Sequence, residues 1–202
     1  MIIQANVENA PELAKIVVDD WKIAYKGMVD EEYLNSLTYE DQTKKRAKSL
    51  SEEPQTGEST YMYIDENTNE VLGFMVVGKD YESSLKADME IQALYVDPSH
   101  RYRGIGSKLV CFAKEEMKKN NYESLSIWCL KKNFPARKFY EKMDGKIVEE
   151  KDFAVGNQML KKVCFKYFSE REKDKSLSDR IQLTDIEEIF ANNRNDILTS
   201  DI

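Results

Sequence analysis

The sequence is poor in the residues on which several enzyme classes depend. It has one histidine, His100, in 202 residues. A Ser-His-Asp triad or a zinc site built on histidines has nothing to draw on beyond that residue. The three cysteines, Cys111, Cys129 and Cys164, are odd in number, far apart and set in apolar surroundings. They are expected as reduced core thiols rather than a disulfide framework or metal ligands. No run approaches the roughly 20 apolar residues that cross a bilayer. The first residues, Met1-Ile2-Ile3-Gln4-Ala5, lack the basic-then-apolar layout of a secretory signal. A cytoplasmic protein with no membrane association is expected. The net charge is −7, which argues against a general nucleic-acid surface, where neutralising phosphates needs a basic excess. That charge suits a cationic partner, and it suits simple solubility equally well.

What is present reads as an α/β domain. Ile2 to Gln4 is a short opening strand. A helix begins near Asn9, Ala10 and Pro11, carries Leu13, Ile16, Val17, Trp21 and Ala24 at helical spacing, and stops at Gly27. Asp30–Leu37 and Tyr39–Leu50 are two further helical pieces. Pro54 and Gly57 mark 51–59 as a loop. Strands follow at 60–65 and 71–77, joined by the turn Glu66-Asn67-Thr68-Asn69, then at 87–96, closed by Asp97-Pro98. A helix over 104–120, a strand over 124–130, a helix over 135–142 and strands over 146–151 and 158–168 complete the domain, placed at residues 1–168. Residues 169–202 read as a charged linker and a short helical tail, with a capping box at Thr184-Asp185-Ile186-Glu187.

The most informative stretch is Arg101-Tyr102-Arg103-Gly104-Ile105-Gly106, between a strand and an amphipathic helix. Glycines let a backbone approach a ligand, and a helix start leaves N–H groups without intrahelical partners. Those donors and the helix dipole favour an anion such as a pyrophosphate. The dinucleotide fingerprint requires glycine at position 109, which is leucine, and the P-loop lysine is missing.

Together with Glu90-Ile91-Gln92-Ala93-Leu94-Tyr95-Val96-Asp97-Pro98, the segment Arg101-x-x-Gly104-x-Gly106 resembles the central motif of the GNAT N-acetyltransferases. A second stretch, Asn133-Phe134-Pro135-Ala136-Arg137-Lys138-Phe139-Tyr140, resembles that family's Asn-x-x-Ala-x-x-Phe-Tyr segment. The resemblance covers about residues 2–168. It implies a mixed, mostly antiparallel central sheet flanked by helices, with acetyl-coenzyme A as acetyl donor and no metal. It also implies an amine acceptor, either a small molecule or a peptide. Dimers are common in the family, so a homodimer is a candidate assembly.

Residue by residue, the resemblance implies that Glu90 acts as base through water and Tyr140 as acid to the leaving thiolate. The N–H of Leu94 would polarise the thioester carbonyl, with Tyr95 and Val96 continuing the strand beside the pantetheine arm. Tyr102, Arg103, Gly104, Ile105, Gly106 and Ser107 would hold the pyrophosphate with help from Arg101. Asn133 would cap its helix and bond the cofactor. Strict alternation places Glu90, Gln92, Leu94 and Val96 on one face unless a bulge intervenes. Trp21, Tyr25, Asp30, Glu31 and Tyr33 are the acceptor-site candidates, the first three foremost. One departure is Asp144-Gly145-Lys146, which keeps the family's turn glycine and loses the aromatic that follows it. Two other readings stay open at this point: a non-catalytic coenzyme A-binding or regulatory module, and transfer of a longer acyl chain.

Overall fold

A computed structural model describes residues 1–172. The tail capping box at 184–187 lies outside the described residues. Seven strands form one sheet in the order β1-β2-β3-β4-β5-β7-β6. They are β1 (Ile2–Gln4), β2 (Ser59–Ile64), β3 (Val71–Gly78), β4 (Met89–Val96), β5 (Ser124–Leu130), β6 (Lys146–Val155) and β7 (Gln158–Phe168). The pairs β1–β2, β2–β3, β3–β4 and β6–β7 are antiparallel, whereas β4–β5 is parallel. Parallel neighbours need a crossover, and α4 (Ile105–Lys119) supplies it. The other helices are α1 (Ala10–Ala24), α2 (Glu31–Ser36), α3 (Tyr39–Thr56) and α5 (Phe134–Lys142).

The sheet separates two apolar layers. On one face Leu13, Ile16 and Val17 of α1 and Leu50 of α3 pack on Met62, Phe74 and Val76. On the other, Ile105, Leu109, Val110, Ala113 and Met117 of α4 and Tyr140 of α5 pack on Met75, Ile91, Ile127 and Phe165. Both helical stripes follow the 3.6-residue period that marked them in the sequence. Residues Met1–Tyr167 form one compact unit.

Three sequence expectations are corrected here. Of the expected loop at 51–59, residues 51–56 are the last part of α3, which runs through Pro54 to Thr56. Pro54 has no N–H to give the Leu50 carbonyl. The helix persists because Leu50 and Glu53 are buried and the Glu53 carboxylate accepts from the Thr60 hydroxyl. Gly57, left-handed at φ +73°, closes it. The strand expected at 146–151 extends to Val155 and turns at Gly156. Among the cysteines, Cys129 and Cys164 are buried thiols, but Cys111 is exposed on α4. It lies on that helix's solvent side with Lys108 and Glu115, away from the stripe that reaches the sheet.

Candidate active site

The parallel ladder between β4 and β5 is short: Met89, Glu90 and Ile91 pair with Leu125, Ser126 and Ile127. Beyond Ile91 the strands diverge, and the β4 edge from Gln92 to Val96 has no β5 partner. Which groups that edge presents follows from alternation along the strand. The Asp97 N–H bonds the Leu72 carbonyl at 2.9 Å, and the Tyr95 carbonyl points at Gly73. Residues 95 and 97 therefore serve β3, so Leu94 and Val96 turn their N–H and C=O into the gap.

A bulge lies just upstream. Val76 pairs with Ala93 and Val77 with Ile91, which leaves Gln92 as an extra residue. The strict alternation expected from the sequence is corrected by it. Ile91, Leu94 and Val96 belong to the α4 layer, while Ala93 and Tyr95 belong to the α1 layer. Glu90, between Met89 and Ile91, is thus on the opposite face from Leu94 and Val96. Its carboxyl approaches the gap from the α1 side.

At the foot of the gap lies the start of α4. Gly104 is left-handed, φ +80°, and Tyr102 beside it has φ +62°. The first bond from the helix body runs from the Lys108 N–H to the Gly104 carbonyl at 3.0 Å. The N–H groups of Ile105, Gly106 and Ser107 precede it and have no helical acceptor. On the far side, Asn133 caps α5 by accepting from the Ala136 N–H at 3.2 Å, as capping alone would require. That helix delivers Tyr140, whose ring packs against Phe139 and Phe165 with centroids 5.3 and 5.4 Å away. In the turn that follows, Gly145 sits so close to Tyr140 and Tyr167 that a Cβ would fall 2.9 Å from the Tyr140 carbonyl oxygen. Close approach, not backbone angle, demands glycine there.

These parts line one cleft of about 1080 Å³. Glu90, Leu94, Tyr95, Val96, Tyr102, Gly104, Ile105, Gly106, Ser107, Asn133 and Tyr140 all reach it, as do Trp21 and Tyr25. Trp21 and Tyr25 stack edge to face, 4.7 Å between centroids, and the Trp21 indole N–H donates to the Tyr95 hydroxyl at 3.1 Å. Arg101 also lines the cleft, but its guanidinium is paired with the buried Asp20 carboxylate of α1. Arg103, Asp30, Glu31 and Tyr33 are not among the lining residues. Asp30 is exposed at the start of α2, with its N–H donating to Gln158 at 2.7 Å.

Among the lining residues that gave no signal in the sequence, three carry charge or a ring to the acceptor end. Glu82 comes from the β3–β4 loop, and Phe153 and Lys162 come from the last hairpin. The buried Lys162 ammonium is ion-paired to Glu82 and stands 4.7 Å from the ring centroids of both Trp128 and Phe153. The loop itself is organised by Asp80. One carboxylate oxygen accepts from the Glu82 and Ser83 N–H groups, the other from the Ala87 N–H and the Ser126 hydroxyl.

The electrostatics fit proton exchange at Glu90. Burial pushes the Glu90 carboxyl up to about 7, the negative charges of Asp80 and Glu82 add to the rise, and Lys162 opposes it. A carboxyl with that affinity exchanges protons near neutrality. Burial holds the Tyr140 phenol well above its ordinary value, reinforced by Cys129 and neighbouring tyrosines, so it keeps its proton at physiological pH.

A family model described as the acetyltransferase (GNAT) family matches residues 21–145. The chain belongs to the GNAT acetyltransferase family. The match runs from Trp21 to Gly145, taking in β4, the start of α4 and Tyr140, and the chain is an acetyltransferase. It is similar to the uncharacterised N-acetyltransferase YuaI of Bacillus subtilis, 27% identical over 161 residues that cover 79% of this chain and 88% of that protein. Its fold resembles that of the PaiA N-acetyltransferase of Thermoplasma acidophilum, solved with coenzyme A, at a TM-score of 0.62 and 20% identity over 80% of this chain and 96% of that one. The ribosomal-protein-alanine N-acetyltransferase of Brucella melitensis gives a TM-score of 0.66 at 16% identity, over 84% and 99% of the two chains. These likenesses support the mixed, mostly antiparallel sheet expected from the sequence. Among the described residues, no helix is long and apolar enough to cross a membrane.

Proposed function

We propose that this enzyme transfers the acetyl group of acetyl-coenzyme A directly to a primary amine, with both substrates bound at once. The observation that carries this reading is the meeting of three features in one cleft: the partnerless β4 edge, the open N-terminus of α4, and the Glu90–Tyr140 pair. The donor fits what is there. The N–H groups of Ile105, Gly106 and Ser107 suit a pyrophosphate, and the freed groups of Leu94 and Val96 suit the amides of a pantetheine arm, as an added strand would.

A primary ammonium with its ordinary pKa near 10.4 is about one part in a thousand neutral at pH 7. Glu90, acting through water, takes its proton. The amine nitrogen then forms a bond to the thioester carbonyl carbon, whose oxygen the Leu94 N–H stabilises; a donor so placed contributes about 3 kcal/mol to the transition state. The carbon–sulfur bond breaks, the Tyr140 hydroxyl gives its proton to the departing thiolate, and the attacking nitrogen, on becoming the amide, loses its remaining extra proton, which restores Tyr140 through water.

The test is release of free thiol from acetyl-coenzyme A in the presence of a panel of amines and peptides, with products identified by mass. Amine-dependent release that falls by at least about tenfold in Glu90→Gln is the expected result. Acetyl-coenzyme A binding without transfer to any amine would overturn the proposal.

A further inference from the structure

The acceptor end of the cleft is bounded on two sides by contacts that tie separate elements together. On one side, the α1–α2 connection meets the β6–β7 turn. The Asp30 N–H donates to Gln158 at 2.7 Å, and Val29, Leu34, Leu130 and Val155 form a shared apolar cluster. On the other side, the β3–β4 loop is strapped to β6 and β7. Lys162 holds the Glu82 carboxylate, Lys151 the Glu82 carbonyl, and Lys166 the Leu85 carbonyl at 3.0 Å. The Ser84 N–H donates to Glu149 at 2.9 Å. An extended peptide needs a groove open at both ends so that its backbone can run through. With both edges bridged, no backbone runs through the groove past Glu90, and an amine enters by its end.

The charges lining the cleft narrow the choice further. Its acidic residues are Asp20, Glu82 and Glu90. Asp20 is taken by Arg101 and Glu82 by Lys162, which leaves Glu90 as the carboxylate without an ion-pair partner. The rest of that end is aromatic: Trp21, Tyr25, Trp128 and Phe153. One ammonium is therefore accommodated beside Glu90. A second one carried on the same molecule would be desolvated among rings with no counter-charge free to receive it.

Building on the acetyl-transfer reading, we infer that the acceptor is a small monoamine with an apolar body, and that the Glu82–Lys162 pair excludes diamines and polyamines. Lys162 is the specificity-determining residue. Its ammonium already occupies the position a second cation would need, against Glu82 and between the Trp128 and Phe153 rings. Discrimination by occupying a subsite costs no contact with the correct substrate.

The test compares kcat/KM for linear monoamines, α,ω-diamines of matched chain length, and short peptides that offer either a free N-terminus or a lysine. Mass detection of the product accompanies thiol release. The expected result is a preference for the monoamine of roughly tenfold or more over every other class. A preference below about fivefold, or one for a diamine or peptide, overturns the inference while leaving acetyl transfer to amines intact. Lys162→Met keeps the aliphatic stem and frees Glu82, so the diamine-to-monoamine ratio should rise several-fold, by roughly the range one restored charge-assisted contact gives. An unchanged ratio overturns the role given to Lys162. Thiol release with none of these acceptors, in protein that binds acetyl-coenzyme A, overturns the underlying acetyl-transfer reading and this inference with it.

Discussion

Replacing Glu90 with glutamine keeps the size of the side chain and removes the one cleft carboxylate that no lysine or arginine pairs. The magnitude follows from its position. With a proton affinity centred near 7, the ionised fraction rises from about 9% at pH 6 to about 91% at pH 8, a tenfold change. The amine arrives as its ammonium, which stays fully protonated throughout that range because its pKa lies near 10.4, so only the ionisation of Glu90 varies. A plot of log kcat/KM against pH should therefore climb with a slope of about one below pH 7 and level off above it. In Glu90→Gln only the neutral fraction of the amine reacts, so the break should vanish, leaving a slope of about one throughout, and the rate at pH 8 should fall by roughly 100-fold. The assay is thiol release at subsaturating amine across the range, with acetyl-coenzyme A saturating. A break near pH 7 that survives in Glu90→Gln would refute the assignment of the base. Stability gives an independent check. The folded-state affinity is raised, so the unfolded chain ionises first and the native state loses stability as pH rises from the ordinary carboxyl range through about 7. Glu90→Gln should escape that loss, seen as a higher denaturant midpoint than wild type at pH 8 and little difference at pH 5.

Glu82→Gln removes a charge that raises Glu90 and releases Lys162, so the break in the rate profile should move below pH 7; Lys162→Met should move it above, and movement the other way in either case counts against the arrangement. Tyr140→Phe should keep the ring packing on Phe165 and the acetyl-coenzyme A affinity, while lowering kcat by about tenfold to 100-fold; single-turnover kinetics would show the loss in the chemical step. Gly104→Glu places a charged side chain at φ +80°, at a backbone cost of roughly 1–2 kcal/mol, and sets an anion where phosphates are expected. Calorimetry should find acetyl-coenzyme A affinity reduced at least about tenfold, and unchanged affinity would sink the phosphate site. Arg101→Met strands the Asp20 carboxylate and should lower stability by about 3 kcal/mol in chemical denaturation, with Asp20→Asn in the same chain restoring part of the loss.

Much of this was legible in the sequence because it depends on local signals. The left-handed Gly104, the amphipathic α4 and the Asn133 cap each require a residue type at one place, and each was found where that residue stood. What escaped depends on tertiary pairing. The bulge at Gln92 arises from registering β4 against β3, and nothing in the run from Glu90 to Val96 marks it. Arg101 read as a phosphate ligand because its partner, Asp20, lies on α1, far away in the chain. Pro54 read as a helix stop because its cost is local, whereas the burial of Leu50 and Glu53 that outweighs it is not. Lys162 carried no signal within the strand at 158–168, and only the strap carrying Glu82 across the last hairpin gives it a role.

The three-residue seam between β4 and β5 also has a mechanical meaning. A sheet split along most of one interior boundary behaves as two plates joined near one end, with a wedge of missing backbone bonds between them. Any molecule that fills the wedge with amides acts as a splint, and its departure returns the joint to those few bonds. Loading and release would then alter the stiffness of the whole molecule more than its shape. Amide exchange in the second half of β5 should record that change first.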